Sequence, residues 1–178
     1  RLAPLLYLAL PAWMFHASIG PFRVPAQEGE ALYGSLYGAA MVQRPELFRA
    51  VVCEVPLLDM IRYQNFLVAK LWVPEYGSSD DPKQFEYLLR YSPYQNVKDG
   101  VKYPAVLFVT GDSDTRVAPL HARKMTARVQ AASRSGLPVL LLYDTKTGHS
   151  GGKPVSQVIE DDTDVLSFLA WQLGAGAR

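Results

Sequence analysis

The chain has 178 residues, 49% of them hydrophobic, and a formal net charge of +1. That is enough material for one ordinary soluble domain with its own core. A charge so near balance, with no basic patch interleaved with aromatics, gives no case for nucleic acid as a partner. The single cysteine, Cys53, excludes an internal disulfide framework and any cysteine-rich metal site.

Residues 1–30 fit the rest poorly. Leu2 to Phe15 is mostly apolar but carries Pro4 and Pro11, which leaves it too short and too broken to span a bilayer. No membrane partner is expected. A secretory segment with Arg1 as its basic end is the alternative for these residues, and cytoplasm and periplasm both stay open. From Ser18 to Glu30 the chain is punctuated by Gly20, Pro21 and Pro25 and then by Glu28 and Glu30 around Gly29. No period of 2 or 3.6 survives there. A poorly specified leader is expected.

Order is expected from about Ala31. The run Ser35 to Val42 is small and apolar and reads as a buried helix ending near Arg44, because Pro45 follows. Glu46 to Phe48 links it to a strand, Ala50 to Val55, stopped by Pro56. Cys53 sits inside that strand as a plain core residue. Leu57 to Lys70 reads as another helix, with Leu58, Ile61 and Phe66 among its apolar positions. Gly77 to Pro82 is a turn. Asp81 then caps a helix with Pro82 at its first position and Gln84 three residues on, close to a capping box. Ser92-Pro93 and Asp99-Gly100 are further turns.

Ala105 to Thr110 is an unbroken apolar and β-branched run, bounded by Pro104 and Gly111. It reads as a fully buried strand. A polar stretch with Asp112, Asp114 and Arg116 follows, then a helix opened by Pro119 with Ala122, Met125, Val129 and Ala132 on one face. The next strand is Val139 to Tyr143, and after it comes a glycine-rich loop holding His149. A last helix runs from about Pro154 to Leu173, with Val155, Val158, Ile159, Val165, Leu166, Leu169 and Leu173 on a stripe and its acidic residues toward solvent. Strands alternating with helices predict an α/β fold with a parallel sheet covered on both faces.

In such sheets ligands and catalytic groups collect at the carboxyl ends of the strands. Two loops there carry the chemistry. A carboxylate against one nitrogen of His149 would fix its tautomer and leave the other nitrogen as a general base. One of Asp112 and Asp114 fits that part, and the other fits a turn cap. Arg116 could pair with either or hold a substrate carbonyl or carboxylate. His121, in the first turn of a helix, reads as structural or solvated, and His16 falls in the leader. No HExxH or paired spacing gives a metal site, and no cofactor is expected. A nucleophile is the missing part. Ser35 follows Gly34 but has Tyr33 and Tyr37 where a G-x-S-x-G elbow needs glycines, so it reads mainly as a small helix residue.

Four stretches carry a resemblance: Gly38 to Met60 (GAAMVQRPELFRAVVCEVPLLDM), Trp72 to Val97 (WVPEYGSSDDPKQFEYLLRYSPYQNV), Gly111 to Lys124 (GDSDTRVAPLHARK) and Asp144 to Pro154 (DTKTGHSGGKP). In this order they resemble the carboxyl-terminal part of the catalytic domain of the prolyl oligopeptidase family, over about three quarters of the chain. The resemblance implies an α/β-hydrolase fold and serine-type cleavage of short peptides after proline. It places the family's catalytic aspartate on Asp114 and its catalytic histidine on His149. The arginine that grips substrate falls on Arg116, and the tryptophan that stacks on the proline ring falls on Trp72. The family's Gly-Gly-Ser-Asn-Gly-Gly is not matched: counting back from Gly38 puts Ala31 at the nucleophile and Leu32 at the asparagine. The strand feeding the nucleophile, the oxyanion tyrosine and the β-propeller have no counterpart here.

The expectation is therefore a partial α/β-hydrolase domain over residues 31–178, related to a proline-specific peptidase but inactive without its serine. A small-ester hydrolase using Ser35 and a catalytically dead peptide- or protein-binding domain are the alternatives. A frame shift or a wrong start would explain why the resemblance fades upstream, and the other reading frames of the gene would show it. Self-association through an open sheet edge is a further expectation.

Overall fold

The structure, a computed structural model, describes residues 29–145, 147–149 and 153–175. Of the leader expected over residues 1–30, only Gly29 and Glu30 are described, in the first turn of a helix; the expectations for residues 1–28 lie outside the described residues. Three β-rich runs with no internal polar break form the sheet: β1 (Ala50–Glu54), β2 (Ala105–Gly111) and β3 (Val139–Asp144). They pair in the order β1-β2-β3, all parallel, with Ala50 opposite Ala105 and Val106 opposite Val139. Side chains alternate between faces along each strand, which sorts the core into two layers. Val51, Cys53, Val106 and Phe108 pack on one side with Met41 and Val42 of α1 (Gly29–Gln43) and with Ala122, Met125 and Val129 of α4 (Leu120–Ala132). On the other side, Val52, Ala105 and Leu107 meet Phe168 and Leu169 of α5 (Val155–Leu173). The sheet is thus covered by helices on both faces, as its apolar strands demand.

Local chemistry sets the element ends. Asp81 caps α3 (Pro82–Tyr91), its Oδ1 accepting from the amides of Lys83 at 2.8 Å and Gln84 at 3.2 Å. Gln84 does not complete a capping box; its Oε1 accepts from the Ser78 amide at 2.6 Å and stiffens the preceding turn instead. Gly38 lets α1 approach closely, since a Cβ there would run into the Leu58 side chain.

Two expectations are corrected. Leu57 to Lys70 is not a helix: it holds two single 3-10 turns, Tyr63–Asn65 and Ala69–Trp72, before the one-turn α2 (Val73–Tyr76). Two of its early backbone donors are taken by side chains from elsewhere. The Asp59 amide donates to His121 Nδ1 at 3.2 Å and the Met60 amide to Ser92 Oγ at 2.8 Å. Leu67, at φ +50°, then turns the chain out of any helical path. On α5 only part of the apolar stripe faces the core: Leu169 and Val165 do, and its amino-terminal members do not. Phe168, Leu169 and Gln172 are buried, whereas Val155, Ile159 and Leu166 are exposed. Only the carboxyl-terminal half of α5 reaches the narrow three-stranded sheet.

Candidate active site

The acidic loop after β2 and the histidine loop after β3 leave adjacent strands at the same edge, and backbone hydrogen bonds zip their roots together. The Asp112 amide donates to the Asp144 carbonyl at 2.7 Å, and the Ser113 amide to the Thr147 carbonyl at 3.2 Å. Gly111 permits this approach: a Cβ on it would stand 2.7 Å from the Gly148 oxygen and closer still to that of Thr147. With the loops held at this spacing, His149 Nδ1 lies 2.8 Å from Asp114 Oδ2.

Asp114 is almost wholly buried, at 3% exposure. A buried carboxylate must have its lone pairs satisfied. Oδ1 accepts the amides of Arg116 and Val117, both at 2.8 Å, and Oδ2 meets the imidazole. Sequence reading divided the turn cap and the histidine contact between two aspartates; Asp114 makes both. With Oδ1 tied to two amides, the carboxylate cannot rotate, and its remaining oxygen favours a proton on His149 Nδ1. His149 Nε2 is then an acceptor. Asp112 points elsewhere and accepts a hydrogen bond from the Tyr143 hydroxyl, whose ring Arg123 overlies at 5.7 Å from the centroid. The bond to Asp112 raises the Tyr143 pKa.

Arg116 and Trp72 are half-buried. Among the described residues, the Arg116 guanidinium forms no ion pair with either aspartate; only its backbone amide contacts Asp114. Trp72 ends the second 3-10 turn and packs with Tyr76 against a cluster of Leu57, Met60, Tyr63, Ala69, Leu88 and Val117. Val117 therefore joins the loop of Asp114 and Arg116 to the segment bearing Trp72. Sequence reasoning missed both this apolar floor and the bond from Tyr143 to Asp112, which depend on contacts distant in the chain. Ala31 stands in the first turns of α1, as Ser35 does further along; their side chains lie outside the described residues.

Cys53 is fully buried, and desolvation pushes its thiol up, consistent with packing and not with nucleophilic use. Among the described residues no three His, Cys, Asp or Glu side chains gather as a metal site, and no helix is long and apolar enough to cross a membrane.

Known proteins are similar to this chain over most of its length. Residues 29–176 match the model of the prolyl oligopeptidase family. A prolyl endopeptidase of Elizabethkingia miricola is 40% identical over 150 residues, which cover 84% of this chain and 21% of that protein. One from Dictyostelium discoideum is 37% identical over 148 residues, 82% of this chain and 20% of that one. A solved prolyl endopeptidase superposes with a TM-score of 0.77 at 48% identity, covering 79% of this chain and 21% of its own. Prolyl oligopeptidase B of Galerina marginata, solved with a 35-residue hydrolysis and macrocyclization substrate, gives 0.75 at 32% identity over 79% of this chain and 20% of its own. The chain spans about a fifth of the length of these relatives.

Proposed function

The chain belongs to the prolyl oligopeptidase family, with an α/β-hydrolase fold, and from that premise we propose that it carries the acid, base and substrate-gripping side of a serine-type endopeptidase site acting after proline. The observation that carries the reading is the buried Asp114 carboxylate, fixed by two backbone amides and set 2.8 Å from His149 Nδ1. Such a carboxylate holds the imidazole in one tautomer and stabilises the imidazolium that forms when Nε2 takes a proton. Arg116 offers a fork of donors to a peptide carbonyl. Trp72, on the apolar floor it shares with Val117, offers a flat face to a proline ring.

Proton transfer needs a hydroxyl, and the position that the resemblance gives to the nucleophile holds Ala31, whose methyl has no proton to yield. The chain on its own is therefore proposed to bind proline-containing peptides without turning them over. A fluorophosphonate and a blocked tripeptide ending in proline test this together. No covalent label, with measurable peptide binding, is the expected result. Trp72→Ala and Arg116→Ala should each weaken that binding about tenfold, as loss of a central aromatic or a charged hydrogen bond does. Label on Ser35 would replace this reading with an ester hydrolase. Failure to bind peptide would remove it altogether.

A further inference from the structure

Outside the dyad, the densest buried polar group among the described residues centres on Asp59, whose side chain is fully enclosed. Its Oδ1 accepts from Gln95 Nε2 at 2.6 Å and from the Ile61 amide at 3.2 Å. Its Oδ2 accepts from Arg62 Nη1 at 3.0 Å and from Lys124 Nζ. The Asp59 amide adds a fifth link by donating to His121 Nδ1. Lys124 also lies over the Tyr94 ring, 4.4 Å from its centroid. Sequence reading left His121 as structural or solvated and gave Asp59 and Lys124 no role; all three meet here.

The partners of Asp59 matter more than their number. His121 and Lys124 are in the first turns of α4, directly after the loop of Asp114 and Arg116, and the His121 amide donates back to the Ala118 carbonyl at 3.0 Å. Asp59 itself belongs to the irregular segment that leads to Trp72. That segment has no helical ladder of its own, so its placement depends on outside bonds.

We propose that Asp59 is a positioning residue which, by binding His121, Lys124 and Gln95, fixes the Trp72 segment against the Arg116 loop and so sets the affinity for a proline-containing peptide it never touches. The proposal rests on the peptide-binding reading above. Burial would by itself raise the Asp59 carboxyl, but the donors from Lys124, Gln95 and Arg62 outweigh it and hold the group below the ordinary range, so the hub stays charged at neutral pH.

The test uses the full chain, a blocked Ala-Gly-Pro amide as probe, and residue-resolved NMR. Asp59→Asn should raise the peptide Kd about tenfold. It should also speed amide exchange at Arg116 and Val117, while amides within β2 keep their protection. Lys124→Met should do the same, and the double variant should be little worse than either, because members of one network are not additive. Arg44→Gln, whose exposed side chain pairs with Glu46 away from this network, should change neither readout. If Asp59→Asn fails to fold, Lys124→Met decides alone. A folded variant with parental affinity and parental exchange overturns the proposal, as does faster exchange spread evenly over the sheet. If the parent chain binds no peptide, the peptide-binding reading fails, while the exchange at Arg116 and Val117 still decides whether Asp59 positions that loop.

Discussion

Gly111→Ala is expected to pull His149 away from Asp114 and to cost about 3 kcal/mol of stability, the upper end for overpacking. The new methyl would lie 2.7 Å from the Gly148 oxygen and 2.9 Å from the Thr147 carbonyl carbon, with the Thr147 oxygen nearer still. These are backbone atoms, so no rotamer change relieves the crowding. The Thr147 carbonyl also accepts the Ser113 amide, and the loops can part only by breaking that bond. Once they part, the 2.8 Å contact between Asp114 and His149 opens with them. Denaturant unfolding gives the stability, and a crystal structure of the variant gives the distance. Gly136→Ala is the control: nothing lies within 4 Å of its added Cβ, so only the left-handed backbone at φ +72° resists, costing about 1–2 kcal/mol. A Gly111→Ala protein as stable as its parent, with the dyad intact, would show that the loops are not held at the spacing described.

Stability should also fall by about 3 kcal/mol as the pH drops from 6.5 to 4, through His121 alone. This side chain is 1% exposed, and its Nε2 has no partner among the described residues. Burial, reinforced by the charge of Lys124 and opposed by that of Asp59, lowers its pKa to about 4. The unfolded chain binds the same proton at about 6.5. Between these values the unfolded state holds more protons than the folded one, so acid favours unfolding. Asp59 acts in a lower window: its folded pKa is depressed, so its contribution, complete above the ordinary aspartate range, is lost only as the pH falls below about 4. Unfolding free energies at a series of pH values should therefore slope downward toward acid in two stages. In His121→Asn, which keeps an acceptor near Nδ1, the upper stage should disappear. An unchanged slope in that variant would assign the effect to other groups.

Much of the frame is legible because its causes are local. β2 is a run of apolar residues between a proline and a glycine. Asp81 caps α3 with atoms two and three residues away. On α4, Ala122, Met125, Val129 and Ala132 share a face by spacing alone and are all buried. The segment from Leu57 to Lys70 misleads for the opposite reason. Its composition suits a helix, but Ser92 and His121, distant in the chain, take its first backbone donors. The stripe on α5 misleads because periodicity says which residues share a face and nothing of how far the sheet beneath extends. In the site, strand ends drew Asp114 and His149 to one edge by general rules. Trp72 came only from resemblance, since nothing in its spacing separates it from a core residue. The double use of Asp114 was hidden because sequence does not show how many donors one carboxylate can serve.

The register of the sheet also bears on the order in which the chain folds. Ala50 and its partner Ala105 are 55 positions apart, whereas Val106 and Val139 are 33 apart. The longer closure adds less than about 1 kcal/mol of chain entropy, so distance alone hardly decides. The intervening chain matters more. Between β2 and β3 stands one packed helix, α4, completing a βαβ unit. Between β1 and β2 lie the irregular segment, whose Asp59 is bonded to His121 and Lys124 of α4, and then α3. The unit from β2 to β3 is therefore expected to form first and β1 to dock on it. Pulsed hydrogen exchange should find the Val106 amide, bonded to Pro138, protected before that of Val55, bonded to Val109. Simultaneous protection would refute that sequence of events. Asp114 and His149 hang from the unit expected early and Trp72 from the segment expected late, so that order would set the Asp114–His149 contact before the segment bearing Trp72 is placed.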